Sequence, residues 1–155
     1  PLLRQSIIGD MACDVLFGES SPLYTRLYQE GVINSSLGGN FDMLPGASYL
    51  YVGGETKEPR RVFEEITAQA KRLGEGGISE EFYQQVRRAS YGGMIRSLNS
   101  FENIAISLVD GRFRGYDAYR FPEVFETVTK ADVEAFLREE VTAGHAAISL
   151  VEPLG

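Results

Sequence analysis

The segment from Ser20 to Phe41, SSPLYTRLYQEGVINSSLGGNF, carries the chain from a loop through a short helix into a strand. Ser21 followed by Pro22 is a helix start. Serine accepts a hydrogen bond from a free backbone N–H, and proline at the first helical position gives up no bond. Leu23 and Leu27 share one face, with Tyr24 or Tyr28 beside them, and Gly31 ends the helix. Leu37, Phe41 and Met43 then recur at even spacing, the period of a half-buried strand. Gly38-Gly39 interrupts that run and predicts a bulge or a close backbone approach. Pro45-Gly46 marks a turn. Residues 47–52, rich in Tyr, Leu and Val, supply the return strand of an antiparallel hairpin that ends at Gly53-Gly54.

Outward from this hairpin the chain is mostly helical. Upstream, Leu3, Ile7, Ile8, Met11, Ala12, Val15 and Leu16 build one face of a helix over residues 2–17, stopped by Gly18. Downstream, Pro59 opens a helix to about Leu73 with Val62, Phe63, Ile66, Ala70 and Leu73 inward, followed by a loop at 74–77. Ser79 caps the next helix, Glu80 and Glu81 favour its positive end, and Ile78 can staple to Tyr83. Phe82, Val86 and Ala89 line its inner face. Gly92-Gly93 lies within it and predicts close packing, since each glycine there costs about 1 kcal/mol against alanine. Asn99 and Glu102 are spaced as a capping box for a helix that ends near Gly115. Residues 116–128 read as a loop with a short helical turn at Pro122. Thr129 caps a last helix through Glu140, with Val133, Phe136 and Leu137 inward. Residues 146–151 read as a strand closed by Pro153.

The order is two helices, two strands, four helices and one strand. It predicts an α+β fold with helices packed on one face of an antiparallel or mixed sheet. No repeat, low-complexity run or long linker divides residues 1–155, so one domain is expected. At this length a chain buries roughly 68–70% of its unfolded surface and needs no disulfide or metal to fold. The chain begins at Pro1, almost inside a helical pattern, and is expected to be a piece of a longer protein.

Composition narrows the function. The 155 residues are 43% hydrophobic and 24% charged, an ordinary globular mixture. With 15 basic and 22 acidic residues the formal charge is −7. That balance argues against nucleic acid or an anionic membrane surface as partner. Arg60-Arg61 and Arg87-Arg88 lie in helical patterns with acids nearby and read as solvated faces. No apolar run approaches the roughly 20 residues of a membrane span. The single cysteine, Cys13, falls inside an apolar helical pattern as a buried thiol, and a cytoplasmic location is expected.

The usual chemical constellations are missing. The glycine pairs form neither a dinucleotide fingerprint nor a P-loop. Ser20 and Ser21 have no histidine or lysine at a suggestive position and are explained by capping. The acid pairs Glu64-Glu65, Glu80-Glu81 and Glu139-Glu140 fall on helices, where adjacent side chains point apart. The eight tyrosines follow helix and sheet faces, as packed or half-buried side chains do. His145, the one histidine, sits in a loop at the mouth of the last strand. A zinc site with paired histidines cannot be built from it.

Four segments in order, SSPLYTRLYQEG, NFDMLPGASYLYVGG, ISEEFYQQVRRASYGGMIRSLNSFENIA and VTKADVEAFLREEVTAGHAAISLVEP, resemble the C-terminal halves of insulinase-like (pitrilysin-type) zinc peptidases. The similarity covers nearly the whole chain and leans to the bacterial processing-peptidase-like branch. In that family an H-x-x-E-H helix in the other half holds zinc and places a glutamate as base. This chain has no such motif, so the resemblance implies a non-catalytic half with no catalytic and no metal-ligating residue. The resemblance implies zinc in the N-terminal half of the parent chain. The implied partners are that half, a homologous partner subunit and a peptide substrate.

The C-terminal half of active members often supplies an arginine and a tyrosine to the substrate backbone, straddling the short helix end and the next strand. Here Arg26 matches the start of that pattern, the later arginine is deleted, and Asn34 stands where the tyrosine would be. Arg26 and Asn34 are therefore the candidate substrate-binding residues, although an ion pair between Arg26 and Glu30 competes for the guanidinium. The implied role is part of a chamber wall that encloses peptide. The alternatives are an inactive partner or assembly subunit of the same family, and an unrelated α+β binding domain.

Overall fold

The computed structural model describes residues 2–44 and 46–152. Helix α1, Leu2–Phe17, is its centre. Met11, Ala12, Val15 and Leu16 are essentially sealed from solvent, and Cys13 is buried among them. Helix α2, Pro22–Gln29, begins as its sequence predicts: the Ser21 side chain accepts from the Tyr24 N–H, and Ser21 is itself fully buried. It ends in a Schellman turn. Gly31 takes φ +70°, its N–H donates to the Tyr28 carbonyl, and the Val32 N–H donates to the Leu27 carbonyl.

Strands β1, Gly38–Leu44, and β2, Ala47–Gly53, form an antiparallel hairpin in continuous one-to-one register from Gly38↔Gly53 to Leu44↔Ala47. Gly38-Gly39 is therefore no bulge. It is the other expected device, a close approach, because a Cβ on Gly39 would overlap the Tyr51 carbonyl and meet the Phe17 ring. The Pro45-Gly46 turn lies partly outside the described residues; Gly46 has φ +84°. Phe41, Met43, Leu50 and Val52 turn inward and Asn40, Asp42, Tyr49 and Tyr51 outward, the period-2 alternation of a one-sided sheet. Phe41 packs edge-on against Phe136 with centroids 5.4 Å apart. Its ring lies where a Cβ on Gly9 would be, so the glycine in α1 admits the strand.

Helices α3, Pro59–Gly76; α4, Glu80–Ser97; α5, Phe101–Arg114; α6, Phe121–Phe125; and α7, Lys130–Glu139, complete the chain. α7 packs against both α1 and α3 through Val133 and Leu137, each fully buried. Thr129 and Asp132 form a reciprocal capping box at its start. A smaller cluster of Leu23, Tyr24, Leu27, Val32, Ile33, Leu37 and Val62 lies between α2 and α3.

Several expectations are corrected. α3 runs on through Gly74 to Gly76, because Gly74 is where the backbone of Arg138 on α7 comes against it and a side chain would not fit. Gly92 and Gly93 are not closely packed: a Cβ on either would meet only the end of the Arg96 side chain, at 3.5 and 3.9 Å. The cap of α5 is Ser100, which accepts from the Asn103 N–H, rather than Asn99. Of the tyrosines, Tyr28, Tyr49, Tyr51 and Tyr119 are exposed rather than packed. Residues 146–151 do not form a strand. A strand needs a neighbour to take its N–H and C=O groups, and the sheet among the described residues contains only β1 and β2. Pro153, expected to close that strand, lies outside the described residues.

Candidate functional site

Arg26 and Asn34 both come from the passage between α2 and β1, and the local sequence explains where each stands. Gly31 reverses the chain after α2, and Val32 and Ile33 turn into the smaller core. The loop is then sewn to the far end of the hairpin. Ile33 bridges Thr56, the Thr56 hydroxyl donates to the Val32 carbonyl at 2.6 Å, and the Glu55 N–H donates to the Ser36 hydroxyl at 2.9 Å. Asn34 is exposed, and its side-chain oxygen accepts from the Ser36 N–H at 2.8 Å. That is an Asx turn, so Asn34 serves its own loop.

Arg26 lies on the outer side of α2, and Glu65 of α3 holds it in a bidentate pair, Nη1–Oε1 3.1 Å and Nη2–Oε2 2.7 Å. Glu30 is farther, at 3.7 Å. The anticipated i,i+4 pair exists, but the cross-helix partner dominates. Arg61 joins the group, bonded to Glu30 and within 3.5 Å of Glu58 and 4.0 Å of Glu65. The Arg26 hydrogen bonds hold the Glu65 carboxyl below its usual range. Among the described residues no hydrogen bond joins the Arg26 side chain to Asn34; the Tyr24 hydroxyl reaches the Asn34 carbonyl at 3.5 Å. Sequence reasoning missed Glu65 and Arg61. Each looked like a member of a charged pair on a solvated helix, and no local signal records that α3 lies beside α2.

A second polar group lies where α5 meets the hairpin. Arg114 donates from Nη1 to Asp42 at 2.7 Å and to the Met43 carbonyl at 2.9 Å, and from Nε to Asp110 at 2.8 Å. Asp10 and Asp14 of α1 face the same region. The Asp10 carboxyl keeps an open edge to solvent, yet is pushed up to about 7, first by desolvation and then by the Asp14 charge, with Arg114 opposing. Asp14, itself open to solvent on one side, is raised by partial desolvation against the body, offset by its bond from Ser90 at 3.1 Å. The arginine satisfies Asp42 and Asp110 and leaves the α1 carboxylates short of positive charge.

The donors present do not fit zinc. His145 stands exposed on a 3-10 turn, Ala143–His145. Burial pushes the Cys13 thiol strongly up, away from the thiolate a metal requires. Among the described residues no group of three or more His, Cys, Asp or Glu is placed to hold a metal ion.

A family profile described as the peptidase M16 inactive domain matches residues 2–90. An uncharacterised zinc protease of Bacillus subtilis strain 168, YmfH, is 30% identical over 152 residues, which is 98% of this chain and 35% of that protein. The chain thus spans about a third of the length of the curated relative it matches. Among solved structures, one described as an M16-like peptidase of Alicyclobacillus acidocaldarius superposes with TM-score 0.79 at 24% identity, over 88% of this chain and 33% of the other. One described as a zinc protease of Bordetella pertussis Tohama I gives TM-score 0.70 at 15% identity, over 94% and 84%. At these identities the structural matches speak to the fold.

Proposed function

The chain belongs to the peptidase M16 family, whose inactive domain it matches, and from that premise we propose that it forms the non-catalytic wall of a peptidase chamber and helps hold an extended peptide. The opposing wall is a zinc-bearing half in the same parent chain. The observation that carries this reading is the pairing of an M16 inactive domain with a donor set unsuited to zinc. The hairpin suits the second part. Among the described residues its outer edges pair with no further strand, and an extended peptide can add to such an edge through backbone hydrogen bonds without sequence preference.

Arg26 and Asn34 bear on who grips the substrate. Arg26 is tied by two hydrogen bonds to Glu65, and Asn34 is spent on its own Asx turn. This supports a division in which a homologous partner subunit supplies the arginine–tyrosine clamp while the parent of this chain supplies zinc. Reading the coding sequence upstream of Pro1 for an H-x-x-E-H helix is the first test. An upstream half of the same fold without the motif turns the conclusion to the alternative, an inactive partner or assembly subunit. Cleavage assays of the parent with and without its partner subunit test the division. Full activity of the parent alone would sink the shared clamp.

A further inference from the structure

We propose that Arg114, acting with Asp42, closes the outer edge of β1 to strand addition, so that an extended peptide lengthens the hairpin along β2 alone. This rests on the peptide-holding reading above and names the edge that it uses. In an antiparallel pair, residues alternate between those whose N–H and C=O groups face the other strand and those whose groups face away. Met43 is of the second kind, because both of its backbone groups bond outside the ladder. Its carbonyl accepts from Arg114 Nη1 at 2.9 Å, and its N–H donates to Asp42 Oδ1 at 2.9 Å. The one-to-one register then fixes the rest. Gly39, Phe41 and Met43 point their backbone groups off β1, and Ser48, Leu50 and Val52 point theirs off β2.

The β1 edge is shut at its turn end. Arg114 Nη1 also donates to Asp42 Oδ1 at 2.7 Å, so three hydrogen bonds close a ring over Met43. Asp110 holds the other flank of the guanidinium, accepting from Nε at 2.8 Å. A peptide running along β1 toward the turn meets this ion pair after Phe41 and finds no free donor or acceptor at Met43. Charged side chains at a strand edge are a common guard against unwanted pairing. β2 has no such guard. Among the described residues, no hydrogen bond takes the outward groups of Ser48, Leu50 and Val52, and no further strand pairs with them. These three positions repeat at about 6.8 Å, the two-residue rise of an antiparallel strand. Donors and acceptors at that spacing are complementary to an extended peptide backbone whatever its side chains.

Amide exchange of the isotope-labelled chain, measured by NMR with and without a blocked octapeptide of alternating threonine and glutamine, tests the proposal. Exchange at Ser48, Leu50 and Val52 should slow about sixfold at about 5 mM octapeptide, as for a dissociation constant of about 1 mM. Exchange at Gly39 and Phe41 should not change. Ser48→Pro removes one outward N–H and leaves the ladder intact, so it should cancel the slowing at Leu50 and Val52. Arg114→Leu should extend the slowing to Phe41. Slowing at Gly39 and Phe41 of the unaltered chain overturns the assignment to β2 and leaves the peptide reading standing. Slowing at neither edge overturns both. A response at Leu50 and Val52 that ignores Ser48→Pro also overturns the proposal, as does an Arg114→Leu chain that keeps its hairpin shifts and still excludes the octapeptide from β1. The edge comparison is made on the unaltered chain, so it decides even where Arg114→Leu does not fold.

Discussion

At the scale of single residues, the charged groups near the candidate site are informative through their partners. Glu65 sits below the usual carboxylate range because Arg26 donates two hydrogen bonds to it. A carboxylate with a depressed folded pKa contributes stability that is present above its unfolded pKa and lost as pH falls through the folded value. Glu65→Gln should therefore lower unfolding stability by about 0.5–1 kcal/mol at pH 7, the range of a partly exposed pair. The difference from the parent should close in urea titrations carried below about pH 4. Asp10 has the opposite sign. Its folded pKa is raised, so the folded state binds more protons than the unfolded between about 4 and 7, and stability falls as pH rises through that window. Asp10→Asn is expected to raise Tm at pH 8 and leave it unchanged near pH 4. Equal gains at both pH values would show that Asp10 does not titrate in this window. The sequence exposed Arg26 and Asn34 as candidates, but Glu65, Arg61 and the Arg114–Asp42 pair were hidden. Their partners on other elements are 39, 31 and 72 positions away, and charge patterning along one helix carries no information about the next.

At the scale of elements, most helix starts and stops were legible because they are local chemistry; the end of α3 and the cap of α5 were not. Ser21 with Pro22, Ser79, Thr129 with Asp132, and the glycines at 31 and 115 act within a few residues of themselves. The glycines inside helices were not legible, because their meaning depends on what lies across from them. Gly74 is pressed against Arg138 of α7, with a built Cβ 2.8 Å from its Cα, while Gly92 looks onto the flexible tip of Arg96. Opposite outcomes follow from the same substitution. Gly92→Ala should stabilise by up to about 1 kcal/mol, the propensity difference in a helix interior. Gly74→Ala should destabilise by roughly 1–3 kcal/mol, because α3 and α7 must separate to admit the methyl group. Chemical denaturation of the two variants checks both signs.

At the scale of the whole molecule, the core is sound and the periphery is incomplete. α1 is covered by the hairpin, α4, α6 and α7, whereas α5 carries exposed apolar side chains and residues 146–151 have no strand partner among the described residues, with Val151 96% exposed. Hydrogen exchange should reflect this. Amides of α1 are expected to exchange only by global unfolding, and those of 146–151 near the unprotected rate. Protection of 146–151 in the chain alone would show that a sheet neighbour has been found. The helices, the hairpin and the family could be read from the residues alone, since periodicity, capping and turn chemistry act over a few residues and the motifs are read in order. With one histidine the sequence also left no way to build a zinc site on paired histidines from these residues. The packing of the elements sets the rest: Arg26 belongs to Glu65, Gly9 and Gly74 are points of contact, and 146–151 finds no strand partner among the described residues. Each of these depends on which surfaces meet in space, and strand formation above all requires a neighbour that no local pattern can guarantee.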